Sequence, residues 1–413
     1  MIAFTTGWTP PTGRDDLYMG SESWATIGDM ASRVLADTAK CISSEAIELS
    51  GVRPSPPGSL LFSFKLSIGQ VAFAGKELYT NEAIATFRHS PAVDLGFAYY
   101  AFPLFVTKNA ADNIYGAKLL NQDLIKNAIL AIPPVGEQFA VAAFLDRETG
   151  KIDALIAEQE RLIALLKEKR QAVISQAVTK GLDPNVPMKE SGVEWLGEVP
   201  AHWEVRSISS LTTKITNGYV GPTRDILVDE GTRYLQSLHI KNNKIDFHTP
   251  YFVEAAWSAC HSKSILEAGD VLVVQTGDVG QTAVVTEEFA GCNCHALIIL
   301  APLRNSITGP WLSWVLNSEF GKHSLLSIQT GALHPHLNCG DVKDVRIPLP
   351  LVDEQRKIVM QLEERLAAFD LLQNEAGNAV ILLRERRAAL ISAAVTGKID
   401  VRDYVTTEQA DAA

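Results

Sequence analysis

The 413-residue sequence has only five cysteines, no long apolar run and no surplus of positive charge. Five irregularly spaced cysteines cannot form the disulfide framework of a small secreted domain and predict a reducing compartment. A membrane span needs about 20 consecutive apolar residues. The sequence has neither such a run nor a signal-peptide pattern, so it predicts a cytoplasmic protein.

The charge balance counts against a protein that binds nucleic acid by itself. The chain has 48 Asp+Glu and 37 Lys+Arg, a formal net charge of −11, and phosphate neutralisation needs cations. The acidic excess is spread evenly along the chain, so no segment forms a basic arm. At 46% hydrophobic and 21% charged, the composition predicts a folded protein of two to four domains.

Sequence signatures of catalysis are also absent. No phosphate-binding P-loop, no G-x-G-x-x-G turn and no G-x-S-x-G elbow occurs. The string Ser55-Pro56-Pro57-Gly58 lacks the aromatic residue that the flipped-base loop of an amino-methyltransferase needs, so we interpret it as a turn. The sequence therefore predicts a protein that is not itself an enzyme.

An internal repeat is the most informative feature that the sequence does have. Residues 133–183 match residues 350–400 without a gap, at an offset of 217 residues. Identical pairs include Gln138/Gln355, Asp153/Asp370, Leu155/Leu372, Leu165/Leu382 and Arg170/Arg387. Fainter matches at an offset of 211, such as Gly7/Gly218 and Gly69/Gly280, relate the segments between these blocks. The chain is a variable block followed by a similar block, twice over.

The similar blocks have the punctuation and spacing of long helices. Prolines precede each block and glycines follow it, leaving about 42 residues between them. Ile152, Gln159, Leu166 and Val173 recur every seven residues, as do Leu155 and Leu162; Phe369, Ala376, Leu383 and Leu390 do so in the second block. This spacing predicts one antiparallel coiled coil shared by the two blocks, although two helices packed into separate domains remain an alternative. Gly150 and Gly377 would each cost such a helix about 1 kcal/mol.

The variable blocks are typical of mixed α/β domains. Apolar runs predict strands within 59–74, 232–240, 270–286 and 296–302. Residues 310–326 predict a helix with Pro310 in its first turn, and 97–107 and 119–131 are the corresponding region of the first block.

A cluster of cysteines and histidines in the second variable block suggests a metal site as the less favoured alternative. It comprises Cys260, His261, Cys292, Cys294, His295, His334, His336 and Cys339. The C-x-C and H-x-H spacings differ from those of structural zinc sites, and the first block has no counterpart. We therefore predict no metal here, and expect buried cysteines with histidines that face the groove.

Several longer motifs resemble one protein family. They are residues 132–138 (IPPVGEQ), 144–149 (FLDRET), 165–170 (LLKEKR) and 192–203 (GVEWLGEVPAHW), with 347–350 (IPLP) and 394–397 (AVTG) from the second copy. Together with 5–10 (TTGWTP) and 24–29 (WATIGD), they resemble the specificity subunits of type I restriction–modification systems over essentially the whole chain.

The resemblance implies a fold and a function. The fold would be α/β (α+β), with two target-recognition domains joined by two long conserved helices in an antiparallel coiled coil and a pseudo-two-fold repeat. The chain would be a non-catalytic DNA reader of a bipartite asymmetric site, whose half-site spacing the protein geometry sets. Its partners would be double-stranded DNA, two adenine-N6 methyltransferase subunits and restriction/translocase subunits. S-adenosylmethionine, ATP and Mg would bind those partners, with no cofactor in this chain.

The resemblance also sets domain boundaries. Residues 1–131 would form the first target-recognition domain, 132–183 the central conserved helix, 184–346 a linker and the second target-recognition domain, and 347–413 the C-terminal conserved helix and tail. Residue 1 corresponds to residue 212, so the first half lacks a counterpart of 184–211. We expect the first domain to miss an edge strand, and restoring an upstream segment to improve its solubility.

Candidate site residues follow from the chemistry of base reading and from the repeat. Polar and aromatic side chains in the loops of the variable blocks are candidates for DNA contact. They are Trp8, Thr9, Arg14, Tyr18, Lys65, Gln70 and Arg88 in the first, and Asn217, Tyr219, Arg224, His239, Lys241, Asn242, Gln275, Thr276, Gln281, His334 and His336 in the second. Repeated residues of the helical blocks are candidates for partner binding: Glu137, Gln138, Leu145, Leu166, Arg170, Glu354, Gln355, Leu362, Leu383 and Arg387.

Three other functions stay open at this stage. The same scaffold would serve a modification-only or anti-phage complex without a nuclease. A metabolic enzyme would show activity as an isolated chain. A coiled-coil scaffold would show no DNA sequence preference with methyltransferase present.

Overall fold

The computed structural model describes residues 2–65, 67–112, 118–331 and 335–401. The chain divides into two compact units, one of residues 1–159 and 378–413 and one of residues 160–377. Each unit thus combines one variable block with parts of both helical blocks. None of the helices described is long and apolar enough to span a bilayer.

The helical blocks form two long helices, as their punctuation predicts. They run over Val135–Lys180 and Val352–Val395, with the two glycines, Gly150 and Gly377, in open space inside them. Ile152 and Leu166 are buried while Leu155 and Leu162 are about half exposed, so only the first of the two seven-residue rows faces inward. The expectation that both rows pack in the coiled coil is therefore wrong for the Leu155 row.

Reciprocal ion pairs establish the antiparallel pairing of the helices. In unit 1 Arg387 Nε lies 2.8 Å from Asp153 Oδ1, and in unit 2 Arg170 Nε lies 3.4 Å from Asp370 Oδ1. Arg387 is the repeat counterpart of Arg170, and Asp370 that of Asp153. Each unit therefore makes the same contact with the two copies exchanged, the pattern of a two-fold interface.

The described part of unit 1 has two larger sheets, one two-stranded sheet and several short helices beside this helix pair. The larger sheet has the strand order Phe4–Thr6, Ile84–Phe87, Leu60–Ser63, Val71–Ala74 and Val34–Leu35. A second has the order Lys40–Ile42, Glu22–Ala25 and Tyr79–Thr80, and Ala111–Asp112 pairs with Lys118–Leu119. The α-helices are Ser44–Ser50, Leu95–Phe105 and Gln122–Lys126, and the 3₁₀ helices are Asp15–Tyr18, Ile27–Asp29 and Thr107–Asn109.

Unit 2 repeats the plan with more short strands. Its two four-stranded sheets have the orders Thr212–Asn217, Leu297–Pro302, Val271–Val274, Thr282–Val284 and Leu227–Val228, Phe252–Val253, Thr232–Leu235, Asn293–Cys294. Three strand pairs are Met188–Glu190 with Glu198–Pro200, Glu204–Ser207 with Arg346–Leu349, and Ile240–Lys241 with Lys244–Ile245. The α-helices are Ala255–Cys260, Gly309–Asn317, Glu319–Ser327 and Cys339–Val342, and the 3₁₀ helices are Ile208–Leu211, Ser237–His239, Ser262–Ser264 and Glu287–Phe289.

Three predicted elements are interrupted in the structure. The helix expected over 310–326 is two helices, because Ser318 leaves the helical conformation and caps the second one, its Oγ accepting from Gly321 N. The strand expected over 232–240 ends at Leu235, where a capping box begins. Of residues 119–131 only Gln122–Lys126 is helical.

A buried glutamine fastens each variable block to the start of a long helix. Gln138 Oε1 accepts from Asp94 N (2.8 Å), and its Nε2 donates to the carbonyls of Ala92 (3.0 Å) and Pro133 (2.8 Å). Gln355 makes the same three bonds in unit 2, with Thr308 N, Ser306 O and Pro350 O, each at 2.9 Å. Both glutamines are fully buried, so we refer to these two sets of bonds as the glutamine clamps.

Aromatic donors reinforce the clamps about two helical turns further along each long helix. In unit 1 Tyr100 Oη donates to Asp146 Oδ1 (2.7 Å), and burial raises the pKa of Tyr100 to about 12. In unit 2 Trp314 Nε1 donates to Glu363 Oε1 (3.3 Å). Arg33 packs over the Tyr99 ring and pairs with the same Asp146 in unit 1. The small helix at the head of each pair is thus tied to the long helix at two points.

Replacing Gln355 by alanine should destabilise unit 2. The change leaves Thr308 N–H and two carbonyls buried without a partner, and each orphaned group costs about 1–3 kcal/mol. We expect a lower thermal midpoint for Gln355→Ala in calorimetry and little change for Gln361→Ala, whose side chain makes no hydrogen bond within the described structure. Equal effects of the two substitutions would refute a special role for the clamp.

Candidate functional site

A tight β-hairpin carries two exposed cations of the second variable block, Lys241 and Lys244. Strands Ile240–Lys241 and Lys244–Ile245 are joined by Asn242 and Asn243, with φ of 52° and 63°. Two consecutive left-handed residues make the type I′ turn that fits two-residue hairpins, and asparagine tolerates this conformation well. Asn243 Oδ1 accepts from Ser313 Oγ and from Asn317 Nδ2, which fixes the tip to the helix Gly309–Asn317.

The hairpin forms one wall of an open polar cleft within unit 2, of about 880 Å³. Opposite walls come from the long helices, and Lys167, Lys241, Lys244 and Lys322 line the cleft without an ion pair in the part of the chain that the structure describes. The acidic lining includes Asp370, which Arg170 neutralises, and Glu288, which Arg233 neutralises. We call this feature the hairpin cleft. It is a local excess of positive charge in a chain of net charge −11.

Three predicted contact residues line the hairpin cleft: Lys241, Asn242 and Gln281.

A second group of predicted contact residues lies where the strand Val271–Val274 ends. Thr276 forms an isolated antiparallel β-bridge with His336, and Leu337 N donates to Gln275 O (3.0 Å). Asn217 Oδ1 accepts from Cys339 Sγ (3.0 Å). Gln275 Oε1 is buried there without a hydrogen-bond partner among the residues that the structure describes. His334 lies outside the described residues.

Tyr219 lies in an aromatic and imidazole cluster that the sequence did not predict. Its ring centroid is 5.1 Å from those of Trp257 and His261, and Trp257 stacks on His261 at 3.9 Å. His295 packs at the edge of the cluster, and burial lowers its pKa, which favours the neutral imidazole.

The cysteines and histidines that the sequence groups in this block form no metal site among the described residues. Cys292 and Cys294 are buried, and burial raises the pKa of Cys294, whereas Cys260 is exposed. Arg224 is exposed on the neighbouring loop.

His239 is a structural residue, which corrects its prediction as a loop side chain facing DNA. It is fully buried; Nδ1 accepts from Gln236 N (2.9 Å) and Nε2–H donates to Thr249 O (2.8 Å). Both bonds need a neutral ring, and burial lowers the pKa of His239. Asp29 has the same role in unit 1, where its carboxylate accepts from Thr26 N (2.8 Å).

Most of the predicted contacts in unit 1 are engaged within the chain. Arg14 pairs with Asp16 and Glu45, and Lys65 lies 3.7 Å from Glu82, which also accepts from Thr9. The Tyr18 hydroxyl, Gln70 Nε2 and the Arg88 guanidinium donate to the carbonyls of Pro10, Met30 and Pro54, and Trp8 O accepts from Trp24 Nε1. The surface ion pairs are weak, about 0–1 kcal/mol each, so Arg14 and Lys65 can exchange partners. Tyr18 and Gln70 support the loops instead of presenting their polar groups.

Half of the partner-binding candidates are buried, which corrects the prediction for those five, and four of the others are half-buried. Gln138 and Gln355 form the clamps, Leu145, Leu166 and Leu362 are core residues, and Arg170 and Arg387 form the reciprocal ion pairs. Glu354 accepts from Trp203 Nε1 (3.0 Å) and Leu383 is half-buried, so only Glu137 is fully on the surface. At these positions the residues repeat because they make the same contacts within the chain.

Exposed leucines occur instead at repeated positions that we had not singled out for binding. In unit 1 Leu155 and Leu382 are 52% and 64% exposed, and in unit 2 their counterparts Leu372 and Leu165 are 45% and 50% exposed. The sequence could have indicated these positions, because each pair is identical in the two copies of the repeat. Each unit presents one leucine from each long helix, and we call these the repeated leucines.

Comparison with known proteins decides the family. The chain matches the type I restriction modification DNA specificity domain over residues 7–164 and 200–379. It belongs to this family. The second matched segment begins just before Trp203, and the two segments contain both glutamine clamps and the aspartate of each reciprocal ion pair, while Arg170 and Arg387 lie outside them.

Relatives and a solved structure extend the likeness over the chain. A type I restriction enzyme EcoBI specificity subunit of Escherichia coli is 24% identical over 311 residues, 73% of this chain and 65% of its own length, just under two thirds. The MjaIX specificity subunit of Methanocaldococcus jannaschii is 21% identical over 96% of this chain and 91% of its own length. A chain from a structure on complex assembly and conformational transition of the type I R-M system has a TM-score of 0.72 at 16% identity, covering 95% of this chain and 97% of that one. The predicted architecture of two recognition domains and two long helices is confirmed as the fold of this family.

Proposed function

We propose that this chain is the sequence-specific DNA-recognition subunit of a type I restriction–modification complex. It reads a bipartite asymmetric site, one half with each variable block, and positions adenine-N6 methyltransferase and restriction subunits. The observation that carries the proposal is the exchanged repeat: two units with the same clamps and ion pairs but different loops. Duplicated framework with divergent loops suits two half-sites of different sequence at a fixed separation.

The chemistry belongs to the partners in this proposal. S-adenosylmethionine binds the methyltransferase subunits, which flip the target adenine, and ATP and Mg bind the restriction subunits. This chain supplies base contacts, at about 1–3 kcal/mol for each good bidentate pair, while partner subunits supply most of the phosphate contacts. Its own net charge of −11 agrees with such a division.

The hairpin cleft is the part of unit 2 that we assign to DNA. A two-stranded ribbon fits the major groove, and the exposed Lys241, Asn242 and Lys244 at its tip are donors that bases and phosphates accept from. Lys241 and Lys244 make no ion pair within the described residues, so they can contact DNA without breaking one.

Methylation mapping tests the proposed function directly. Long-read sequencing of a host that expresses this chain with its methyltransferase should show adenine methylation in an asymmetric bipartite motif. The motif should disappear when this chain is omitted, and one half should change when one variable block is exchanged. Methylation independent of this chain, or a motif without two halves, would overturn the proposal.

Replacing the hairpin lysines should lower the salt dependence of DNA binding. In the complex with methyltransferase, Lys241→Gln/Lys244→Gln removes up to two phosphate contacts, so the slope of log Kd against log salt should fall by about 1.8. Lys189→Gln, an exposed lysine on another strand of unit 2, is the control and should change nothing. An unchanged slope in the double variant would remove the hairpin from the DNA interface.

The repeated leucines are where we place the two methyltransferase subunits. Leu155→Glu/Leu382→Glu in unit 1 should lower the stoichiometry from two methyltransferase subunits to one, because burying a leucine contributes about 1.5–3 kcal/mol that a carboxylate forfeits. Native mass spectrometry of the complex measures this directly. Leu165→Glu/Leu372→Glu should have the same effect, and Leu49→Glu, 60% exposed in unit 1, should have none. Retention of both subunits by both double variants would place docking elsewhere.

A further inference from the structure

The wall of the hairpin cleft that the two long helices form has hydrogen-bond donors of its own. Arg170 Nε lies 3.4 Å from Asp370 Oδ1, which sets the register of the antiparallel helices at this point. Lys167 lies one turn before Arg170 and Gln373 one turn after Asp370, so antiparallel pairing places both at the same level. Asn374 follows, and all three side chains line the cleft. We call Lys167, Gln373 and Asn374 the framework wall.

The framework wall offers donors for which the chain provides no acceptors. Gln373 Nε2 is buried, yet it has no hydrogen-bond partner among the residues that the structure describes. Lys167 is exposed and forms no ion pair with any described carboxylate. A buried donor without an acceptor destabilises the free protein, and native structures keep few of them. An acceptor from outside the chain would satisfy this donor.

The charge of the cleft indicates which kind of acceptor this is. Of the three acidic residues in the lining, Asp370 and Glu288 are paired with arginines, and Asp246 lies 3.5 Å from His248. Four lysines without an ion pair in the described structure thus face one carboxylate that no arginine or lysine neutralises. Ammonium groups and amide donors together bind anions, above all phosphate oxygens, and an open cleft of about 880 Å³ admits a phosphodiester.

The two copies of the repeat differ at the framework wall. At the offset of 217, Gln373 corresponds to Ile156. Asn374 corresponds to Ala157 in the same way. Amide donors thus occur in one copy where the other has apolar side chains. In unit 1 the guanidinium of Arg33 reaches the long helix, but a carboxylate 2.7 Å away neutralises it. The donors are therefore no requirement of the shared helical framework, and they belong to the hairpin cleft.

We propose that the framework wall binds one phosphate of the DNA backbone. This inference rests on the proposed function, which brings DNA into the hairpin cleft, and it extends the DNA contact from the variable loops to the long helices. Lys167 neutralises the phosphate, and the amides of Gln373 and Asn374 donate to its oxygens. Contacts with phosphates position a duplex without reading its sequence, so the framework wall raises the affinity for every sequence equally.

The substitution Lys167→Gln in the complex with methyltransferase tests the charge. Loss of one phosphate contact should lower the slope of log Kd against log salt by about 0.9, for a duplex with the methylated motif and for an unrelated duplex alike. The methylated motif itself should not change. Lys169→Gln, an exposed lysine on the same helix outside the lining of the cleft, is the matched control and should leave the slope as it is. Equal slopes for the two variants would overturn the proposal.

The double substitution Gln373→Ile/Asn374→Ala, which gives the second copy the residues of the first, tests the amides. It removes a buried unpaired donor, so the thermal midpoint of the free chain should rise. DNA binding should weaken about tenfold, because hydrogen bonds to a charged phosphate are lost. The salt slope should stay the same, since no charge is removed. A purely structural role would lower stability and binding together, and that result or an unchanged Kd would contradict the proposal.

Competition with a free anion identifies the source of the phosphate. Tripolyphosphate titrated into the complex with methyltransferase should show no micromolar binding in calorimetry, because the framework wall has a single unpaired cation. Micromolar binding that Lys167→Gln removes would assign the wall to a free phosphate compound, and the proposal would be wrong. The DNA measurements also separate this inference from the proposed function: a methylated motif without two halves would overturn that function, whereas equal salt slopes would remove only the framework wall.

Discussion

The buried glutamine of each clamp is the contact on which the arrangement of a unit depends. A glutamine has one acceptor and two donors, and at this position all are used: one for the backbone N–H of a helix cap, one for a carbonyl of the variable block and one for a carbonyl before the long helix. The three bonds join two chain segments, residues 92–94 and 133–138 in unit 1, at a single point with fixed geometry. Because the glutamine is fully buried, loss of its side chain leaves three buried polar groups unpaired, at a cost of about 1–3 kcal/mol each.

The two units differ more in the placement of their cations than in their total charge. In unit 1 Arg14, Lys65 and Arg33 each have a carboxylate partner, whereas four lysines line the hairpin cleft of unit 2 without an ion pair in the described residues. An even distribution of charge along the sequence thus becomes uneven in space. The acidic total still matters, because a net charge of −11 opposes long-range attraction of a polyanion such as DNA.

Sequence reasoning predicted the long helices well because a repeat and a heptad each constrain many positions at once. It failed where burial decides the role of a single residue. Gln138 and Gln355 were predicted to bind partners since they are polar, repeated and near a helix start, and nothing in their spacing reveals a buried clamp. His239 was predicted to contact DNA, although its place three residues after Gln236 is the spacing of a capping box. The cluster of Tyr219, Trp257 and His261 joins residues that no local pattern connects, so the sequence could not predict it.

The exchanged contacts also explain why the helical blocks resemble each other so closely while the loops do not. The first part of one block packs on the last part of the other in each unit, as Asp153 does on Arg387 and Arg170 on Asp370. A change at one helical position must therefore suit a partner from the other copy, which ties the two copies together. A variable block meets the framework mainly through a clamp, an aromatic donor and core side chains. Loops such as the Lys241 hairpin lie outside these contacts, so their sequence can change while the fold of the unit is kept.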